Sequence, residues 1–148
     1  MAYSNGHTAK LISESGLKVT QQRIVVYQWL LETTSHPTAE MVYDMVRSDN
    51  PSISKGTIYK TLETLVEVGL VKKIPTSGSN MRYDARQEDH SHICLSNTNE
   101  IIDYFDDDLQ KMIEDHLKNK HLNNLKIQKF SLHIEGEKID VKKRILTN

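Results

Sequence analysis

Short apolar stripes at helical spacing divide the first half of the chain into three main helices. Each stripe follows a Ser or Thr that can cap the first turn, at Thr20, Thr38 and Ser54. The predicted inward positions are Ile24, Tyr27 and Leu31, then Met41, Val42 and Met45, then Ile58, Leu62, Leu65 and Val66. Gly69 follows the third stripe, where a left-handed residue ends a helix. A weaker signal favours a short helix before Gly16.

After Gly69 the pattern changes from helix to strand. Residues 70–74 and 81–84 are predicted strands around the turn-rich segment 75–80, and helices followed by such a hairpin are typical of a winged helix. The polar residues 85–91 have few apolar anchors, so the domain boundary is expected there. The predicted organisation is a winged-helix domain over 1–85, a hinge over 86–89 and a second domain over 90–148.

The second half predicts a small α/β domain, and the whole chain an α+β fold. Strands over 90–95 and 100–105 flank the loop 96–99. A helix opened by Asp106, Asp107 and Asp108 follows, with an apolar stripe made of Leu109, Met112, Ile113 and Leu117. The last predicted strand covers about 125–134, where a change of parity in the apolar residues indicates a bulge near 128–129.

Composition restricts the class of protein. The 148 residues are 37% hydrophobic and 26% charged, which is typical of a globular protein and excludes a disordered or low-complexity chain. The densest apolar stretch, 24–31, is too short to cross a membrane. The polar N-terminus lacks the pattern of a secretory signal. We therefore expect a cytoplasmic protein without a membrane partner.

Cysteine, histidine and charge counts limit the chemistry. Cys94 is the only cysteine, which excludes an intrachain disulfide and a four-cysteine zinc site, whereas the chain has seven histidines. Nitrogen and oxygen ligands are therefore expected if a metal binds. The net charge is −1, but residues 1–85 hold nine Lys and Arg against eight Asp and Glu. Any nucleic-acid surface must then be a local patch in the first half.

The candidate chemistry begins at His90 and His92, which share one face of a strand because they are two residues apart. If the hairpin loop is 96–99, counting back places His92 opposite Asp103. Side chains directly opposed across a ladder have Cβ atoms about 5 Å apart. The hairpin alone is compatible with a metal site and equally with an ordinary His–Asp pair on a half-exposed sheet.

Seven segments then carry a resemblance to a known family. They read LKVTQQR (17–23), HPTAE (36–40), ISKGTIY (53–59), VGLV (68–71), RYD (82–84), HSHIC (90–94) and IIDYF (101–105). Each is weak alone, but their order and spacing resemble those of the ferric uptake regulator family over about residues 10–134. Within that family the chain looks most like the peroxide-sensing repressors.

The resemblance implies a regulatory metal site. Its three histidines and two aspartates fall on matching residues, namely His36, Asp84, His90, His92 and Asp103. Aspartate at position 103 is what the peroxide sensors carry, where iron sensors tend to have glutamate. The implied ion is Fe²⁺ or Mn²⁺, with Zn²⁺ as an in vitro substitute. The implied oxidation targets in the presence of iron and peroxide are His36 and His90, which would become 2-oxo-histidine.

The chain departs from the family at two places. The family usually carries two Cys-x-x-Cys pairs for a structural zinc, but here residues 94–97 read CLSN and residues 136–139 read GEKI. No structural zinc is expected, and Cys94 is predicted to be a small buried residue. A further family site uses a histidine near 127–130, which reads IQKF here, so this site is not expected either.

The other four histidines are not predicted ligands. His116 lies on the apolar stripe of its helix, which favours a hydrogen-bonded core or interface position. His7, His121 and His133 are predicted to lie at the surface.

The third helix is the predicted DNA-reading element. With its apolar stripe facing inward, Lys55, Tyr59 and Lys60 point outward near its start. The family match makes Tyr59 the base-contact candidate and Arg23 and Lys55 the backbone candidates. The same residues would also suit an ordinary solvated helix face.

The resulting hypothesis is a homodimeric, metal-dependent repressor of double-stranded, palindromic operator DNA. It is not an enzyme and takes no small-molecule substrate other than peroxide. Two alternatives stay open. One is a regulator of the same family that responds to iron, manganese or zinc supply. The other is a non-haem iron enzyme, which two histidines and a carboxylate would suit but five ligands and the lack of a signalled cleft disfavour.

Overall fold

The chain folds as two compact units, Met1–Gln87 and Glu88–Asn148, in a computed structural model that describes residues 4–76, 80–85 and 90–146. The predicted hinge 86–89 lies outside the described residues, as does the middle of the predicted turn at 77–79. No helix in the described parts is long and apolar enough to cross a membrane.

The first unit is a winged helix. It contains α1 (Asn5–Glu14), α2 (Gln21–Glu32), α3 (Ala39–Arg47), α4 (Lys55–Glu67), β1 (Lys72–Ile74) and β2 (Arg82–Asp84). The predicted caps are confirmed, because the side chains of Thr20, Thr38 and Ser54 each accept a hydrogen bond from the backbone N–H three residues on. Gly69 has a φ of +81°, as expected of the residue that ends α4.

The core of this unit confirms the inward face of α4 and corrects the other two. Ile58, Leu62 and Leu65 are buried as predicted. Helix α2 buries Tyr27 as predicted, but its other buried residues are Val26 and Leu30. Ile24 and Leu31 are only partly covered. Apolar residues lie on every side of this helix, so periodicity could not select its buried face.

In helix α3 the predicted inward position of Val42 is confirmed, and those of Met41 and Met45 are wrong. Its buried residues are Ala39, Val42 and Val46, and both Met41 and Met45 are exposed. The small and β-branched residues of α3 pack against the core, and the longer methionine side chains stay outside.

The wing is a two-stranded antiparallel hairpin in which Lys73 lies opposite Tyr83. Both strands are shorter than predicted. Its attachment to the helices is a hydrogen bond from the Tyr83 backbone N–H to the carbonyl of Pro37, at 2.9 Å. This bond places the end of β2 beside the residues that precede α3.

The second unit is a three-stranded sheet with one helix. It contains β3 (Ser91–Leu95), β4 (Ile101–Tyr104), α5 (Asp107–Asn119) and β5 (His133–Gly136), in the order β4-β3-β5. Strands β3 and β4 form the predicted hairpin, and β5 runs parallel to β3. Parallel pairing requires a long crossover, which α5 and the segment after it supply.

The predicted strand over 125–134 is right only at its last two residues, and the predicted bulge near 128–129 is wrong. Residues 125–132 are not in a strand, and β5 starts only at His133. The parity change reflects the irregular segment that returns the chain to the sheet, because alternation carries no meaning outside a ladder.

Helix α5 begins as predicted, with Asp106 accepting from the Leu109 N–H at 3.0 Å. None of its residues is buried in the single chain, and Met112 is 68% exposed. His116, expected in a core or interface, is likewise exposed. The core alternative for His116 is therefore wrong for this chain.

A polar clasp ties the segment after β5 to the β3–β4 turn. The side-chain amide of Asn97 donates to the Lys138 carbonyl and accepts from the Lys138 N–H, both at 3.0 Å. The Ser96 N–H donates to the Gly136 carbonyl at 2.9 Å, and the Lys138 ammonium donates to Glu100 at 2.8 Å. The clasp therefore joins residues about forty positions apart through hydrogen bonds and an ion pair.

Loss of the clasp is expected to weaken the second unit. Asn97→Ala removes two hydrogen bonds, so the free energy of unfolding should fall by about 1 kcal/mol. Thermal unfolding and hydrogen exchange of 136–139 measure this, with Asn123→Ala, at an exposed position before β5, as the control. Equal stability of Asn97→Ala and Asn123→Ala would contradict a stabilising role for Asn97.

The Lys138–Glu100 pair of the clasp makes stability depend on pH. The hydrogen bond from Lys138 lowers the pKa of Glu100. The pair therefore stabilises the fold fully above the ordinary glutamate pKa, and this stabilisation is lost as the pH falls through the lowered value.

Candidate metal centre

Two imidazoles and a carboxylate meet on one face of the β3–β4 hairpin. The register is the predicted one, with His92 opposite Asp103. The Asp103 Oδ1 atom lies 3.1 Å from His90 Nε2 and 3.4 Å from His92 Nε2. The two rings are 4.6 Å apart in an edge-to-face arrangement. Both histidines are buried and Asp103 is partly buried.

Phe105 supports this cluster, although it is not among the site residues predicted from the sequence. Its ring stacks on His90 with centroids 5.3 Å apart and an interplanar angle of 30°. The signal was available, because the register that places Asp103 opposite His92 also brings Phe105 level with His90. Stacking restricts the rotation of the His90 ring and orients Nε2 toward Asp103.

A pocket of about 210 Å³ lies beside His90 of this cluster. Its lining includes His90, Phe105, Tyr104, Asp106 and Leu109. The Tyr104 hydroxyl donates to Asp106 at 2.7 Å, which raises the pKa of Tyr104 and helps to lower that of Asp106. A small polar molecule therefore has room beside His90.

The first unit holds a second pair, His36 and Asp84. His36 Nε2 lies 3.9 Å from Asp84 Oδ2, and both side chains are buried. His36 has a φ of 50°, a left-handed conformation that is uncommon for a residue with a Cβ. The Arg82 guanidinium donates to the His36 carbonyl at 3.1 Å and so helps to hold this conformation. Strained backbone that neighbouring contacts maintain is typical of functional positions.

The spacing within each pair fits a divalent metal. Ligand atoms that share one ion through bonds near 2.1 Å lie about 3 Å apart when adjacent and about 4 Å apart when opposite. The observed 3.1, 3.4 and 3.9 Å fall in that range. A mixed set of imidazole and carboxylate donors suits iron, manganese and zinc.

The predicted DNA contacts lie on or near the helices of the first unit. Lys55 occupies the first position of α4, and Tyr59 and Lys60 are exposed further along it. Lys55 is already paired with Glu40 at 2.9 Å. Arg23, at the start of α2, donates to the Lys18 carbonyl at 2.7 Å.

Cys94 is buried, as predicted, and lies on β3. Its sulfur is 3.8 Å from His133 Nδ1, and His133 Nε2 is 3.3 Å from Glu135. His133 keeps its predicted surface position despite this contact, and His7 and His121 are exposed as predicted.

Comparison with known proteins identifies the family. The pattern of the ferric uptake regulator family matches residues 14–134, most of the chain. The chain belongs to the ferric uptake regulator family. Among its relatives, the peroxide-responsive repressor PerR of Staphylococcus saprophyticus is 31% identical over 93 residues. That match spans 63% of this chain and 63% of the relative's length.

Solved structures agree with this assignment. The peroxide stress regulator of Campylobacter jejuni is 28% identical, with a TM-score of 0.71 over 89% of this chain and 93% of that one. The ferric uptake regulator Fur of Helicobacter pylori, described as having three functional metal-binding sites, has a TM-score of 0.79 over 97% of both chains. At 20% identity, the second likeness shows the fold alone. Both likenesses extend over most of this chain and support its fold.

Proposed function

We propose that the protein is a homodimeric, metal-dependent transcriptional repressor that binds double-stranded operator DNA and senses peroxide through iron-catalysed oxidation of its metal ligands. The observation that carries the metal dependence is the Asp103 carboxylate within 3.1 and 3.4 Å of two buried imidazoles. Membership of the ferric uptake regulator family supports the regulatory role.

The proposed metal site has five ligands, His36, Asp84, His90, His92 and Asp103. Two of them belong to the first unit and three to the second. A single ion held by both sets couples the two units, so its binding energy favours one arrangement of the winged helix over others. Fe²⁺ or Mn²⁺ is the proposed physiological ion, and Zn²⁺ is a substitute in vitro.

DNA binding is assigned to the winged helix. The N-terminal half of α4 exposes Lys55, Tyr59 and Lys60 on the side opposite its buried stripe. Helix-turn-helix proteins place the start of this helix in the major groove, where side chains read base edges and lysines contact phosphates. We assign the base contact to Tyr59 and phosphate contacts to Arg23, Lys55 and Lys60.

Dimerisation is assigned to the second unit. Among the described residues, the apolar stripe of helix α5 is only partly covered, and Leu125, Ile134 and Val141 are also exposed. Exposed apolar surface of this kind favours association, and most small homo-oligomers are two-fold symmetric dimers. A symmetric dimer presents two winged helices, which fits a palindromic operator.

The proposal that the protein senses peroxide rests on Asp103 and on the pocket beside His90. The pocket of about 210 Å³ admits a molecule as small as hydrogen peroxide next to a proposed ligand. The relatives named PerR and the Campylobacter peroxide stress regulator support the same proposal. A regulator that responds to iron, manganese or zinc supply would use the same ligands without their oxidation.

Metal analysis combined with DNA binding tests the proposal. The purified protein should contain or take up about one divalent ion per chain at this site, and a duplex that it selects from a randomised pool should bind only in the metal-loaded form. A chelator should release the duplex, and added Mn²⁺ should restore the complex. Equal binding with and without chelator would contradict the metal-dependent repressor.

A further inference from the structure

A compact group of charges surrounds Tyr43 on α3, next to the start of α4. The Arg47 guanidinium lies 5.4 Å from the centre of the Tyr43 ring, and the Lys55 ammonium lies 5.6 Å from it. Both distances fall in the range of cation–π contacts. One tyrosine ring therefore positions one cation from α3 and another from the first residue of α4.

Each cation also has a carboxylate partner from α3. Lys55 Nζ lies 2.9 Å from Glu40 Oε1, and Arg47 Nη2 lies 3.6 Å from Asp44 Oδ1. The four charges sum to zero, so the patch is neutral although it contains two basic residues. The hydrogen bond between Lys55 and Glu40 lowers the pKa of Glu40 and raises that of Lys55, so both side chains stay charged at neutral pH.

The exposure of these groups lets a polyanion compete for the cations. The side chains of Glu40 and Asp44 are 66% and 58% exposed, and those of Lys55 and Arg47 about half exposed. Exposed pairs contribute little stability, so either carboxylate can turn away at small cost. A DNA phosphate next to the patch would then replace the carboxylate as the partner of the cation. While the carboxylate remains beside the cation, it would repel the phosphate.

We propose that Arg47 and Lys55, held on Tyr43, form a phosphate-binding clamp, and that Glu40 and Asp44 restrain it by competing with DNA for the two cations. The inference rests on the proposed DNA-binding function and adds Tyr43 and Arg47 to the interface. The carboxylates act as a brake on binding to duplexes in general, so tight binding depends on additional base contacts such as that assigned to Tyr59.

A double-mutant cycle tests the brake in the full-length, Mn²⁺-loaded protein. The probes are a duplex selected by this protein from a randomised pool and an unselected duplex of the same length and base composition. Glu40→Gln should tighten binding to both by about two- to fivefold. It should also make the slope of log affinity against log salt steeper by up to about one, because Lys55 then neutralises a phosphate without first losing an internal partner.

The second mutation decides whether Glu40 acts through Lys55. In a protein that already carries Lys55→Ala, adding Glu40→Gln should no longer raise the affinity for either duplex. Asp44→Asn should likewise give no increase in affinity in a protein that carries Arg47→Ala. Glu114→Gln, on the exposed side of α5, is the control for the change in net charge. Tyr43→Phe should retain wild-type affinity because it keeps the ring, whereas Tyr43→Leu should weaken binding to both duplexes.

The outcomes separate this inference from the function on which it rests. The competition by Glu40 would be overturned if Glu40→Gln still raised duplex affinity in the absence of Lys55, or if Glu114→Gln raised it equally. In either case, duplex binding by the wild-type protein would leave the repressor proposal intact. Equal binding by Tyr43→Leu and the wild type would remove Tyr43 from the clamp. Absence of duplex binding by the wild-type Mn²⁺ form would instead overturn the proposed function, and the clamp with it.

Discussion

Asp103→Ala is expected to abolish metal-dependent DNA binding. This carboxylate lies 3.1 Å from His90 Nε2 and 3.4 Å from His92 Nε2, so its removal would take away one proposed ligand and a partner that orients two others. Loss of a supporting group alone typically costs 10- to 100-fold in metal affinity, so loss of the ligand should cost more than about 100-fold. Mn²⁺ titration, followed by duplex binding at fixed metal, measures both effects. His92→Ala should behave in the same way.

Cys94→Ser is the matched control on the same strand. Its side chain is two residues from His92, but the chain has no other thiolate with which to build a zinc site. We therefore expect nearly unchanged metal and DNA binding. Loss of bound zinc together with dimerisation in Cys94→Ser would show a thiolate site shared between subunits, contrary to the proposed ligand set. Unchanged binding in Asp103→Ala would remove the metal centre from the proposal.

The parts of the site that sequence reasoning located are those governed by local rules. A strand alternates its side chains with a period of two, and a short hairpin loop fixes the register, so His92 opposite Asp103 follows from counting. Helix starts were equally accessible, because Thr20, Thr38 and Ser54 satisfy backbone donors of their own helices. The same register also places Phe105 level with His90, although Phe105 is not among the predicted site residues.

The features that the sequence did not predict correctly are those that depend on tertiary packing. Helix α2 is apolar on all sides, so only its neighbours determine that Val26 and Leu30 face inward. The irregular segment before β5 contains enough apolar residues to mimic a strand, and only the parallel pairing of His133 with His92 shows where the ladder begins. The left-handed backbone of His36 depends on contacts from Arg82, 46 positions away, which no local pattern encodes.

The clasp illustrates a further limit of inference from a family pattern. The missing cysteines predict that this chain has no structural zinc of the family type, but they do not indicate what connects the segment after β5 to the sheet. Asn97 and Lys138 make that connection with backbone hydrogen bonds. An asparagine in a turn has many ordinary roles, so its partner could be identified only from the fold.

Iron-loaded protein is expected to lose DNA binding in low hydrogen peroxide, while manganese-loaded protein keeps it. Fe²⁺ held by the proposed ligands would supply the one-electron reduction of hydrogen peroxide to hydroxide and a hydroxyl radical, becoming Fe³⁺, and Mn²⁺ in the same site would not supply this chemistry. The resulting oxidant reacts with whatever lies closest, and His90 is both a proposed ligand and a wall of the adjacent pocket. Addition of this radical to the His36 or His90 ring, followed by loss of a proton and of one electron to Fe³⁺, would leave one added oxygen and a poorer imidazole ligand. We then expect the metal to couple the two units no longer and the repressor to leave the operator.

Peptide mass spectrometry of the two metal forms tests this expectation. Treated iron protein should gain one oxygen atom on His36 or His90, in proportion to its loss of duplex binding, and treated manganese protein should gain none. His121, which is exposed and distant in sequence from every proposed ligand, serves as the internal control, since diffusing oxidant would modify it as well. Unmodified His36 and His90 with intact binding in the iron form would move the protein to the metal-supply regulators. Equal modification of His121 would show that the oxidation is not directed by the site.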